Sequence, residues 1–176
     1  QADFTGDGRT DLLVYRHLYG EWTLYPSNGS TISSTALWTW SDGNRGTVQP
    51  AGEHGRAKDG PEDRVFIGDF TADGRADVLH YIERDSEHDW VLMKSTLFGF
   101  STNDNPYHNI HQDLDIWDGD EVFVGNLFPS DSSDGRADIF HYRDDNASWN
   151  VITCGSDGTC SVMPRESGSA HDMRGW

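Results

Sequence analysis

The chain has 176 residues, 30 of them Asp or Glu against 13 Lys or Arg, for a formal charge of −17; this makes a nucleic-acid polyanion a poor partner and a cation a natural one. Apolar side chains make up 35% of the residues, yet aromatics reach 12% and glycines number 19, a composition suited to short strands and turns rather than to packed helices. No run of about 18 apolar residues is present, so no membrane-spanning helix is expected, and since no signal-peptide pattern opens the chain at Gln1, the sequence is read as starting after any such segment.

In chain order the first element is a loop, DFTGDGRTD from Asp3 to Asp11, followed by a predicted strand LLVYR and a second strand EWTLY around Trp22. A weaker strand is expected near Ser30 to Ser34, and the unit closes on Trp40. The stretch from Ser41 to Asp63 is rich in glycine and charge and reads as an inserted surface loop. A strand from Val65 to Gly68 then leads into a second loop, DFTADGRAD from Asp69, with strands VLHYI and DWVLM and a weaker one at Leu97 to Ser101 after it. A second insertion, Thr102 to Asp115, precedes the closing Trp117. The third unit opens with the strand Val122 to Gly125, carries the loop ending in SDGRAD, and continues through IFHYR, SWNVI and a short strand at Ser161 to Met163 up to Trp176.

These are copies of one unit, with the marker aspartates Asp7, Asp73 and Asp134 spaced by 66 and 61 residues and a tryptophan (Trp22, Trp90, Trp149) 15, 17 and 15 residues after each marker. Four strands in about 60 residues is the signature of a propeller blade, in which radial repetition leaves only short, protected edges. The expected fold is all-β, with about three four-stranded antiparallel blades at 1–64, 65–121 and 122–176. The first copy has no VFxG-type leading strand and the last ends where one should follow. Three blades do not close a ring, so the array is expected to belong to a longer propeller or to be completed by self-association.

The loops space oxygen donors at alternate positions before a glycine turn, the arrangement a tight calcium loop requires, since Ca²⁺ takes six to eight hard oxygen ligands. Asp3, Thr5, Asp7, the carbonyl of Arg9 and Asp11 form one expected shell, and Asp69, Thr71, Asp73, the carbonyl of Arg75 and Asp77 a second. The third copy departs: Asn126 takes the first position, Asp131 or Ser132 must take the third by a longer route, and only Asp134, the carbonyl of Arg136 and Asp138 stay in register. Two to three calcium ions are therefore expected, the third weakly held. A single DGxxD is more often a metal-free Asx turn; three in one register favour a cation, because clustered carboxylates repel.

The segments DFTGDGRTDLL and DFTADGRADVL resemble the FG-GAP or VCBS repeat family, the calcium-loop blades of integrin-α-like propellers. The resemblance implies a propeller fold of the seven-bladed type, extracellular placement, and a role in adhesion, in glycan binding as in some fungal lectins, or as a non-catalytic module of a secreted enzyme.

The remaining chemistry-bearing residues read mainly as structural. His80 and His141 share a repeat position at which the first copy has Val14, which marks a packing site. His108 and His111 with Asp113 and Asp115 match no zinc spacing. Trp38, Trp40, Trp117 and Trp176 lie near strand exits, where an indole face can stack on a sugar or seal a contact between blades; the first three are the candidate ligand-binding residues. Cys154 and Cys160 are expected to form a disulfide across a hairpin turn, and the sequons at Asn28 and Asn146 to be glycosylated. Together these point to a secreted, calcium-binding, non-catalytic recognition module for glycans or extracellular protein surfaces. The alternatives are an accessory domain of a secreted hydrolase and a structural element of an extracellular assembly.

Overall fold

The computed structural model describes residues 1–16, 20–41, 64–84, 87–102, 116, 119–127, 135–143, 148–154 and 160–162. The chain is all-β over this range: eleven strands form three antiparallel sheets, with no helix among the described residues. The first sheet contains β1 (Leu12–Arg16), β2 (Glu21–Tyr25) and β3 (Trp38–Ser41). The second contains β4 (Arg64–Gly68), β5 (Asp77–Arg84), β6 (Glu87–Thr96) and β7 (Gly99–Thr102). The third contains β8 (Glu121–Gly125), β9 (Asp138–Arg143), β10 (Ser148–Cys154) and β11 (Cys160–Val162). Each is a meander in which sequence neighbours pair, the topology that short turns between alternating strands produce.

The registers superpose. Tyr15 pairs with Trp22, Tyr81 with Trp90 and Tyr142 with Trp149. In the second and third sheets the leading strand ends on Gly68 opposite Asp77 and Gly125 opposite Asp138. The first sheet lacks that strand except for its last pair, Ala2 opposite Asp11, an isolated bridge. One expectation fails: the closing strand of the first sheet is Trp38–Ser41, not Ser30 to Ser34. The earlier segment is folded into a turn, where Ser27 bridges Ile32 and the Asn28 side-chain oxygen accepts from the Ser30 and Thr31 N–H groups, both at 2.9 Å. The local capacity of Asn and Ser to bond nearby backbone outcompetes strand pairing there. The two insertions, at 42–63 and 103–115, lie outside the described residues.

Two cores sit between the sheets. Phe4, Trp22, Leu24 and Trp38 from the first unit meet Val78, Val91, Met93 and Phe100 from the second. Phe70, Leu79, Tyr81 and Trp90 from the second meet Ile139 and Ile152 from the third. Because side chains alternate across a strand, Val78 and His80 face the first sheet while Leu79 and Tyr81 face the third. Backbone bonds reinforce both joints: the Ala76 N–H donates to the Asp3 carbonyl at 2.6 Å and the Ala137 N–H to the Asp69 carbonyl at 2.7 Å.

The second joint is tight at Gly68, where a Cβ would lie 2.6 Å from the Ala137 Cβ and 3.0 Å from the Val124 Cγ1, whereas one at the equivalent Gly125 would meet nothing within 4 Å among the described residues. Gly68→Val is therefore expected to destabilise the chain by about 2 kcal/mol through overpacking, and Gly125→Val to leave it within about 0.5 kcal/mol. Equilibrium urea unfolding of both variants checks this; equal losses would show that the joint does not depend on close approach at Gly68.

Candidate functional site

The repeated loops hold the densest polar chemistry of the chain. In the first, Asp3 closes the turn by accepting from Gly6 N–H at 2.7 Å and Asp7 N–H at 3.2 Å on Oδ1, and from Gly8 N–H at 2.7 Å on Oδ2. Asp7 accepts from its neighbour's backbone, Arg9 N–H, at 2.9 Å, and its second oxygen pairs with the Arg9 guanidinium at 3.2 Å. The second loop repeats this plan: Asp69 accepts from Asp73 and Gly74 N–H, and Asp73 pairs with Arg75. Gly6, at φ 77°, and its counterpart Ala72, at φ 59°, hold the same left-handed turn.

The aspartate that ends each loop is buried. Asp11 is 0% exposed and accepts from Phe4 and Thr5 N–H, both at 3.1 Å, on one oxygen and from Ser27 N–H at 2.9 Å on the other. Asp77, also 0% exposed, accepts from Phe70 and Thr71 N–H, from the Thr71 hydroxyl at 3.0 Å, and from Ser95 N–H at 2.9 Å. In the third unit Asp138 accepts from Leu127 N–H at 3.0 Å, so its anchoring survives the irregular sequence before it. Burial pushes the Asp77 carboxyl up from 3.8 to about 6; the Ser95 and Thr71 bonds oppose this and the charges of Asp73 and Asp69 add to it. Negative charge is thus concentrated in the second loop, with Arg75 as its internal counter-charge.

The donor set fits a hard divalent cation in kind, since every expected ligand is an oxygen and the carboxylates of the second loop repel one another. In the conformation described, however, the carboxylates of the first two loops accept from backbone N–H groups, Asp7 and Asp73 pair with Arg9 and Arg75, and among the described residues no three acidic, histidine or cysteine side chains converge to hold an ion. Asp131 and Asp134 lie outside the described residues; Asn126, Arg136 and Asp138 are described.

Beside the first loop is an open recess of about 510 Å³, its lining including Arg9, Pro26, Ser27, Thr31, Ile32 and the exposed sequon residue Asn28. Its lining combines a guanidinium and hydroxyls with the apolar side chains of Pro26 and Ile32. Of the candidate tryptophans, Trp38 is 8% exposed and packs in the core at 5.2 Å from Phe100, which takes it away from any ligand. Trp40 is half-buried, 5.7 Å from Phe100 and against Gly99. Trp117, Trp176, Asn146, His108, His111, Asp113 and Asp115 lie outside the described residues. Cys154 and Cys160 are directly opposed in register on β10 and β11.

His80 and His141 are packing residues with a polar role. His80, 5% exposed, meets Tyr15 and Trp22 edge-on at 5.4 and 5.8 Å. His141 Nε2 lies 2.9 Å from Asp120 Oδ2, with the two side chains 1% and 2% exposed. Reading the sequence missed Asp120, although a signal exists: an aspartate precedes the leading strand in both later units, at Asp63 and Asp120. So buried a pair cannot reach a substrate; it ties the start of β8 to β9. Asp120→Ala strands a buried imidazole and is expected to cost about 1–3 kcal/mol. The double variant Asp120→Ala, His141→Val, which restores the residue type of Val14, is expected to be less unstable than Asp120→Ala. A double-mutant cycle by thermal unfolding that returned additive losses would refute the coupling.

No protein-family model matches the chain, and no curated protein sequence matches it either. Among solved structures it is similar to a lectin from Agrocybe aegerita described for specific recognition of non-reducing terminal N-acetylglucosamine, with a TM-score of 0.53 and 19% identity. The match covers 93% of this chain and 36% of the lectin chain. Nearly the whole chain therefore shares its all-β fold with about a third of a carbohydrate-recognising protein.

Proposed function

We propose that the chain is a non-catalytic carbohydrate-recognition module, secreted, whose three sheets are blades of a propeller of the FG-GAP or VCBS type. The observation that supports this most is the fold shared over 93% of the chain with a lectin. The opposed placement of Cys154 and Cys160 is in keeping with an oxidising compartment. The recess beside the first loop offers what a sugar ring needs: the Arg9 guanidinium and the Ser27, Thr31 and Ser33 hydroxyls for its oxygens, with Pro26 and Ile32 for its apolar face. Ile32 is 41% exposed, so Ile32→Asp removes that apolar side chain without opening a core. On a glycan array the native chain is expected to retain structures ending in N-acetylglucosamine, and Ile32→Asp to weaken retention about tenfold, or about 1.4 kcal/mol. Retention of no glycan by the folded native chain would defeat the reading.

Calcium at the first two loops is part of the same proposal. The ion would be held by Asp3, Thr5, Asp7, the Arg9 carbonyl and Asp11, and by Asp69, Thr71, Asp73, the Arg75 carbonyl and Asp77, supplying the positive charge that the arginines now supply. A bound ion must then compete with Arg75 for Asp73, so Arg75→Gln should tighten calcium binding in calorimetry, and chelation should lower the melting temperature. Absence of heat in both proteins, with melting unaffected by chelator, would mean that the loops are closed by amides and arginine alone.

A further inference from the structure

The turn between β2 and β3 carries the one Asn-Gly step of the sequence, Asn28-Gly29. Both residues are exposed, and Asn28 belongs to the lining of the recess beside the first loop. An asparagine followed by glycine is open to attack by the glycine's backbone nitrogen on the side-chain amide carbon, because no Cβ on the second residue stands in the way.

The surroundings of the two groups favour that attack. Asn28 Oδ1 accepts from the Ser30 and Thr31 N–H groups, both at 2.9 Å. An oxygen held by the second and third residues on folds its amide back over the Gly29 peptide between them, and the two N–H groups are aimed at the atom on which negative charge develops. The Gly29 N–H donates to the Ser27 hydroxyl oxygen at 3.0 Å, which gives the proton that must leave this nitrogen a path to solvent. The Arg9 side chain lies against the same glycine, its Cδ and Nε 3.6 Å from where a Cβ would stand. Its positive charge stabilises both the deprotonated nitrogen and the oxyanion.

The Asp-Gly steps of the first two loops are surrounded in the opposite sense. Gly8 and Gly74 give their N–H groups to the side chains of Asp3 and Asp69, at 2.7 and 2.9 Å, so a nitrogen deprotonated there would face a second negative charge. The groups open to attack, Asp7 and Asp73, are paired with Arg9 and Arg75 and have no amide to expel.

We propose that Asn28 is a site of intramolecular deamidation promoted by the folded turn. The Gly29 nitrogen, its proton lost by way of Ser27 to solvent, bonds to the Asn28 Cγ. The resulting oxyanion on Oδ1, held by the Ser30 and Thr31 N–H groups, collapses and expels Nδ2, which takes up a proton from solvent and leaves as ammonia. A five-membered succinimide remains. Water opens either of its two ring C–N bonds, giving aspartate or isoaspartate at this position, for a net exchange of one water for one ammonia. The product no longer carries the sequon Asn28-Gly29-Ser30 and places a carboxylate in the recess that Arg9 also lines. The inference rests on the geometry of the turn and not on the glycan reading, so either stands if the other falls.

The test incubates the full chain, made without N-glycosylation, at mildly alkaline pH in water enriched in heavy oxygen, and follows conversion by peptide mapping. The peptide holding residue 28 is expected to convert faster in the folded chain than in the same chain unfolded in guanidinium chloride, a comparison that needs no variant. Ser27→Ala and Arg9→Gln are each expected to slow conversion of the folded chain about tenfold and to leave the unfolded rate unchanged. Isoaspartate at Asp7 and Asp73 of the folded chain is expected to form at least about tenfold more slowly than at residue 28. A folded chain that converts no faster than the unfolded one, a folded rate that neither substitution changes, or equal conversion at all three steps overturns the proposal.

Discussion

The structure depends on a buried carboxylate at the end of each repeated loop. Asp11 and Asp77 have no solvent exposure, yet each accepts from at least three donors: two backbone N–H groups at the start of its own loop and one from the segment beyond the following strand, Ser27 or Ser95. An ionised carboxylate is expensive to bury alone, by several kcal/mol, and tolerable when its lone pairs are filled by convergent N–H groups. The loop, the strand that follows and the return of the chain are thereby held together at one point. That junction also fixes where the Asp3 and Asp69 carbonyls stand, and these carbonyls receive the next unit through Ala76 and Ala137.

The joints between sheets follow from this anchoring. Once the loops are placed, period-two alternation sends Leu79 and Tyr81 to one side and Val78 and His80 to the other, so the second sheet is apolar on both faces. Such a sheet cannot stand alone in water, and repetition is the means of covering it.

The geometry separates scaffold from surface. Several of the described tryptophans and histidines that attract attention as chemistry are spent on packing: Trp22, Trp38 and Trp90 are buried, and His141 is tied to Asp120. The polar recess beside the first loop is instead made by the turn between β2 and β3, an excursion of the first unit from the common plan. Variation in such turns, on a scaffold held by buried aspartates, is how one fold comes to serve different ligands.

Much of the architecture was legible in the sequence because it is written in local chemistry. The alternating apolar strands, the glycine turns and the threefold recurrence of the loop and of Trp22, Trp90 and Trp149 depend on spacing along the chain, and they specified an all-β repeat. The strand at Trp38–Ser41 was not legible, because a turn anchored by Asn28 intervenes and the pairing partner is chosen by register with β2 rather than by propensity. Nor was the fate of the loop oxygens: their types and order suit a cation, but whether they face an ion, a guanidinium or a backbone amide is a matter of direction in space. The Asp120–His141 bond and the contrast between Gly68 and Gly125 belong to the same class. Each is a contact between residues distant in sequence, or the lack of one, which only the packing of one sheet against another decides.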